Sequence, residues 1–216
     1  NFFLAGDGFR LNIGGNMQVR YIADFRDDNT SQDDFESGFQ NRRTQVWFNG
    51  NINKDWFFRV QGGFDREGGS FRLEDAFAGY TFANGWSWTA GQGWAPFLRE
   101  SLVDEWKQLA VDSSIVEAYF GAGRVQGTWL SKTADDWSAS VGFFDGSRTA
   151  NTDFTAASEA DYSFMGRFQY KVAGNWAQFD DFTSPRGSSY GCMIGAAANW
   201  QQSRNTNSPT DIDTDT

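Results

Sequence analysis

Phe9-Arg10-Leu11-Asn12-Ile13-Gly14-Gly15-Asn16-Met17-Gln18-Val19-Arg20-Tyr21-Ile22-Ala23-Asp24 alternates in two phases. Phe9, Leu11, Ile13, Gly15, Met17, Val19, Tyr21 and Ala23 occupy one, and Arg10, Asn12, Gly14, Asn16, Gln18, Arg20 and Asp24 the other. Successive side chains of a β-strand point to opposite faces, so the stretch presents one apolar face and one polar face. Its length exceeds the roughly five or six residues usual in soluble sheets and suits a tilted strand that crosses a membrane and projects beyond it.

The same reading extends downstream. Residues 43–50 place Thr44, Val46 and Phe48 on the apolar face, with Arg43, Gln45, Trp47 and Asn49 on the polar one. Residues 56–65 place Trp56, Phe58, Val60, Gly62 and Phe64 against Phe57, Arg59, Gln61, Gly63 and Asp65. Further strands are predicted at about 72–83, 86–94, 123–131, 137–145, 162–172 and 190–201, nine in all, the one at 72–83 alternating least cleanly. In this frame the apolar phase carries no charged residue. A basic side chain at the midplane of a lipid-facing surface costs about 2–4 kcal/mol, and a one-residue slip turns every side chain to the other face, so the frame is strongly constrained.

Connections alternate in length. Short turns fall at Asn53-Lys54, Asn84-Gly85 and Thr133 to Asp136, and long polar loops at 27–38, 95–122, 146–161 and 202–216. Barrels of the outer-membrane type pair short inner turns with longer outer loops in this way. The link at 66–70 is a short exception on the outer side. Residues 173–187 fit a long inner connection, in which an extra strand near Trp176 to Phe182 would break the parity. Pro96, Pro185 and Pro209 all lie in connections, where a missing N–H harms no ladder.

Composition agrees with this reading and removes several alternatives. The chain of 216 residues has 39% hydrophobic content, but 22 Phe, 10 Trp and 24 Gly carry much of its character. It opens at Asn1 without a basic-then-apolar leader, as a processed or trimmed protein would. No run of 18 apolar residues occurs, which excludes a spanning helix and says nothing against a barrel, whose strands are only half apolar. The absence of His removes the commonest general base and metal ligand, and the lone Cys192 has no partner for a disulfide. No metal or cofactor is predicted. A net charge of −10 disfavours nucleic acid as a partner.

A Trp follows each proposed inner turn: Trp56, Trp86, Trp137 and Trp176. Indole rings favour the headgroup level of a bilayer, where an apolar body and an N–H donor are both accommodated, so these four are read as an aromatic girdle. The polar phase carries Arg10, Arg20, Arg43, Arg59, Arg124, Arg167 and Lys171 against Asp24, Asp65 and Asp75, which makes the proposed lumen wall basic in an acidic protein. Such a wall lowers the barrier for anions; equally, the arginines could pair with acids across the lumen and stiffen it. The 95–122 loop is the third on the outer side, the one that in trimeric porins folds into the lumen and forms the constriction, and by that likeness it is read as folding inward. A helix is predicted within it from Ser101, as N-cap, to about Ala110. Arg99 and Lys107 are its candidate constriction cations, with Glu100, Asp104 and Glu105 positioning them.

Ordered short matches then point to a family. Arg42-Arg43-Thr44 running to Asn49-Gly50, Leu73-Glu74-Asp75-Ala76-Phe77, Gly91-Gln92 with Pro96-Phe97-Leu98-Arg99-Glu100, Gly123-Arg124 and Gly142-Phe143-Phe144-Asp145-Gly146 cover about residues 38–146. In this order they resemble the phosphate-selective porin O and P family of the bacterial outer membrane. The resemblance implies a transmembrane antiparallel β-barrel of about sixteen strands, of which residues 1–216 form the N-terminal portion of a single domain. It also implies a homotrimer in outer-membrane lipid and lipopolysaccharide that passes small anions such as phosphate without energy input. The chain departs from the family pattern in Trp94-Ala95, where a basic residue commonly precedes Pro-Phe, and in Asp112, where an Arg commonly precedes Ser. Those departures bear on selectivity rather than on architecture.

Three other readings compete with a porin: a soluble glycan-binding β-sandwich, a mainly structural outer-membrane barrel, and a glycosidase using Asp135 and Asp136 or Asp180 and Asp181. Adjacent acids in a turn are more often solvated than catalytic, so no enzyme is predicted. Asp211, Asp213 and Asp215 lack the turn Gly and terminal Glu of a calcium loop and are read as part of a solvated outer loop.

Overall fold

A computed structural model describes residues 2–25, 35–66, 68–156 and 159–203. The acidic stretches around Asp27, Asp28, Asp33 and Asp34 and around Asp211, Asp213 and Asp215 lie outside these residues.

Ten strands form one sheet in strict sequence order, β1 to β10. They are β1 (Phe2–Gly6), β2 (Phe9–Phe25), β3 (Phe35–Ile52), β4 (Trp56–Phe64) and β5 (Phe71–Thr81), followed by β6 (Ser87–Trp94), β7 (Arg124–Thr133), β8 (Trp137–Phe144), β9 (Ala160–Ala173) and β10 (Cys192–Ser203). Every neighbouring pair is antiparallel, and among the described residues β1 and β10 do not pair with each other. The tenth strand is β1. Its Phe2-Phe3-Leu4 run has no alternation to mark it, and it is held by pairing with the inner end of β2, from Phe2↔Ile13 to Gly6↔Phe9. The turn between them adds a fifth connection to the inner rim, where Asn53 N–H donates to Gly8 O at 2.6 Å.

The predicted faces are those observed. Met17 and Val19 are 70% and 54% exposed, whereas Gln18 and Arg20, which alternate with them, are partly buried by side chains on the other face. Val60 and Phe64 are exposed while Gln61 is fully buried, and in β9 Phe164, Phe168 and Tyr170 are exposed while Ser163 and Met165 are buried. At Asn53-Lys54 both residues adopt left-handed backbone angles, φ 51° and 65°, which fit a tight hairpin.

Register shifts occur in the β2–β3, β4–β5 and β9–β10 pairs, and those in β3 and β5 bear on the site. In β3 the register passes from Gln18↔Arg43 to Val19↔Asn41, leaving Arg42 unpaired. Phe39 on one side of the bulge and Phe48 on the other both face outward although their numbers differ in parity. In β5 the register passes from Gln61↔Asp75 to Gly62↔Leu73, so Glu74 is the extra residue and joins Asp75 on the polar face. That bulge is why residues 72–83 alternate poorly. Residues 176–182 form no strand but a short 3-10 turn, Trp176–Phe179, so the parity of the connections stands.

Candidate constriction site

The longest connection, residues 95–123, leaves the outer end of β6 and lies across the polar face of the sheet. Ala95 N–H to Gly123 O, 3.0 Å, closes its base. Trp106 stacks on Trp47 of β3, with centroids 5.0 Å apart and planes within 11°. Trp47 lies flat on Gly14 of β2, where a Cβ would collide with the indole. Glu105 accepts from Gln18 and Gln45, and Asp112 forms ion pairs with both Arg20 and Arg42. Arg43 donates to Gln18 Oε1 at 2.8 Å and to Val111 O. At the other end Arg167 of β9 donates to Phe97 O at 2.7 Å. The loop is therefore a chord running from β9 to β2.

The helix predicted from Ser101 to about Ala110 does not form. Helix α1 (Arg99–Leu102) is followed by a 3-10 turn at Glu105–Lys107 and by α2 (Ile115–Phe120). Ser101 is buried inside α1, and the capping serine is Ser114, which accepts from Glu117 N at 3.2 Å. Both serines have an acid three residues on. A ten-residue helix would advance the chain only about 15 Å, whereas extended residues such as Val103 and Asp104 let the loop reach across the sheet.

Around α2 the acids behave differently. Glu100 accepts from Ser114 N at 2.6 Å and from its hydroxyl, so it braces the cap rather than a cation. Burial pushes the Glu117 carboxyl above its usual range, a Ser101 hydrogen bond opposing this, and Glu117 Oε2 has no hydrogen-bond partner. Asp112 is held below the usual range, first by the Arg42 hydrogen bond and further by the charges of Arg42 and Arg20.

Beneath the chord, along β3 to β7, lies a cavity of about 640 Å³. Arg42, Arg43, Arg59, Arg66, Arg72 and Arg124 line it, with Trp94, Phe77 and Trp129 between them. Asp75, only 3% exposed, sits between two guanidiniums: Arg124 Nε donates to its Oδ1 at 2.8 Å, and Arg59 Nε lies 3.1 Å from its Oδ2 without hydrogen-bond alignment. Glu74 accepts from Gln45, Gln61 and Arg124. Thus Arg20, Arg42, Arg59 and Arg124 are ion-paired, whereas Arg43, Arg66 and Arg72 form no ion pair among the described residues. The wall thus combines ion-paired arginines with arginines that have no carboxylate at ion-pair distance among the described residues.

The opposite side of the same face is apolar and buried. Ala95, Ala122, Val125, Phe144 and Met165 form a buried cluster with Phe97 and Trp129 against it. Its inward-turned side chains come from β7 to β9 and from both ends of the loop, and sequence alternation alone gives no sign of it.

The other predicted residues are placed as follows. Lys107 Nζ is 3.9 Å from Asp104 Oδ2. Arg99 donates to Phe179 O at 2.8 Å and Asp181 O at 3.4 Å and stacks over Phe182 at 4.5 Å. Arg10 lies over Phe3 near the inner rim, and Lys171 lies 5.4 Å over Trp176. Trp56 packs edge-on against Tyr80, Trp86 lies 6.3 Å from Trp137, and Trp176 donates its indole N–H to Ala134 O at 2.8 Å in the next inner turn. Asp135 and Asp136 are exposed in that turn, and Asp181 accepts from the Thr183 N–H and hydroxyl. Arg42, Arg66, Arg72 and Asp112 join the site without having been assigned to it by sequence; the Arg42-Arg43 doublet inside an alternating strand was the available signal.

The sequence model of the family described as phosphate-selective porin O and P matches residues 11–207, most of the chain. No curated protein matches it.

Proposed function

The chain belongs to the phosphate-selective porin O and P family, β-barrel channels of the bacterial outer membrane, and from that premise we propose that it passes small anions by passive diffusion through the arginine-lined cavity beside the 95–123 loop. The carrying observation is that three of the cavity's six arginines, Arg43, Arg66 and Arg72, hold positive charge without a carboxylate at ion-pair distance among the described residues. Fixed guanidiniums in a narrow passage with low-dielectric walls concentrate anions and offer flat, multidentate donors to oxyanions such as phosphate. Asp75 and Glu74 fix Arg59 and Arg124 in place, so the fixed and free arginines form one surface. Trp56, Trp86 and Trp137 set the inner rim at the headgroup level, and Trp176 locks two inner turns together. The homotrimer in lipopolysaccharide-bearing membrane and the N-terminal place of these strands in a larger barrel belong to the same proposal.

Single-channel recording across a salt gradient tests it. The wild type should reverse on the anion-selective side, and Arg43→Ala together with Arg72→Ala should move the reversal potential toward zero. Cation preference in the wild type, or anion preference unmoved by both substitutions, would refute the assignment.

A further inference from the structure

The connection between β9 and β10 is the longest on the inner rim, and it does not lie along that rim. Its base is fastened by reciprocal bonds between Asn175 and Gln178 and by the Trp176 indole on the neighbouring turn. Its far limb is drawn back by Gln178 Nε2 donating to Ser189 O at 2.9 Å. Between these anchors, residues 179–182 meet the chord that descends from the outer rim. Arg99 of α1 donates to Phe179 O and Asp181 O, its guanidinium stacks over the Phe182 ring, and the Phe182 N–H donates to Lys107 O at 3.1 Å. Segments from opposite rims are thus joined through one arginine and one aromatic ring.

The join lies on a particular side. Arg167, which holds Phe97 O, is close enough to Arg99 for the two charges to interact, and Phe97 packs against the buried cluster of Val125, Phe144 and Met165. The open cavity lies toward β3 to β5, with Arg124 and Trp129 of β7 on its border with the cluster. Arg99 gives two carbonyls the protons of one nitrogen, Nη2, and lays its plane on an aromatic ring, a stacked contact that a flat guanidinium makes over more area than a compact ammonium.

We propose that residues 174–191 are an inner wall of the constriction. By gripping Arg99, with Phe182 as the positioning residue, they keep the β7 to β9 side of the lumen closed and confine solute to the arginine-lined cavity. This rests on the porin reading. It makes Arg99 a clamp between two loops and leaves the passing anion to Arg43, Arg66 and Arg72.

The test compares single-channel conductance of full-chain Phe182→Ala, Phe182→Tyr and Arg99→Lys variants with the wild type, each shown to be assembled by heat-modifiable gel mobility. Opening a second path of comparable section beside the first predicts roughly a doubling of conductance for Phe182→Ala. Phe182→Tyr, which keeps the ring, should conduct as the wild type. Arg99→Lys, which keeps the charge but not the flat face stacked on Phe182, should behave like Phe182→Ala. A lumen charge without a clamping role would instead be preserved by lysine. Wild-type conductance in both Phe182→Ala and Arg99→Lys would overturn the proposal. A wild-type channel that conducts without anion preference would defeat the anion reading while leaving this comparison of conductances intact.

Discussion

Val60→Arg should lower the stability of the membrane-inserted protein by about 2–4 kcal/mol, measured by urea titration of folding into lipid vesicles, while Val60→Leu should cost under about 1.5 kcal/mol. Val60 is central in β4, is 43% exposed on the apolar face, and lies level with Phe48 and Ala76 on the flanking strands. In a water-soluble sheet an exposed position of this kind would accept arginine within about 0.5 kcal/mol, so the same substitution separates a barrel in lipid from a soluble sandwich. One residue away, the native Arg59 sits on the opposite face against Asp75. The sensitivity therefore belongs to the face and not to the strand.

Asp75→Ala should have the second large effect. It would leave Arg59 without its ion-pair partner and Arg124 with only its longer contact to Glu74, 3.3 Å. Removing one partner of a buried charge cluster costs about 3–5 kcal/mol, and the low end applies here because the Arg59 side chain keeps 27% of its exposure to solvent. The substitution also deletes a negative charge from the cavity wall, so the variant that assembles should be less stable in urea and yet more anion-selective in a salt gradient. A variant that lost stability without a shift in selectivity would place Asp75 outside the solute path.

The faces of β2, β4 and β9 were legible because period-two alternation is a direct consequence of strand geometry. It failed locally where geometry departs from that period. The bulges at Arg42 and Glu74 insert one residue each, reversing the phase and turning two consecutive side chains inward, and this is how Arg42 escaped assignment. The inward Val125, Phe144 and Met165 were hidden for another reason: an apolar residue on the polar phase is a mismatch until the loop that covers it is known. The role of 95–123 as a chord could be anticipated from its length and its place as the third outer loop. Its pairings, Trp106 on Trp47 and Asp112 with Arg20 and Arg42, join residues far apart in the chain, and no spacing rule reports them. The grip of Phe182 on Arg99 is of the same kind.

The most direct measurement is a cysteine scan of β2 in lipid vesicles, in a Cys192→Ser background, with a fluorescent label read against a lipid-soluble and a water-soluble quencher. Labels at Leu11, Ile13, Met17 and Val19 should be quenched from the hydrocarbon and those at Asn12, Asn16 and Gln18 from the aqueous phase, switching at every residue. Equal quenching of neighbouring positions, or labels at Met17 and Val19 shielded from lipid, would contradict a wall with hydrocarbon on one side and a watery passage on the other.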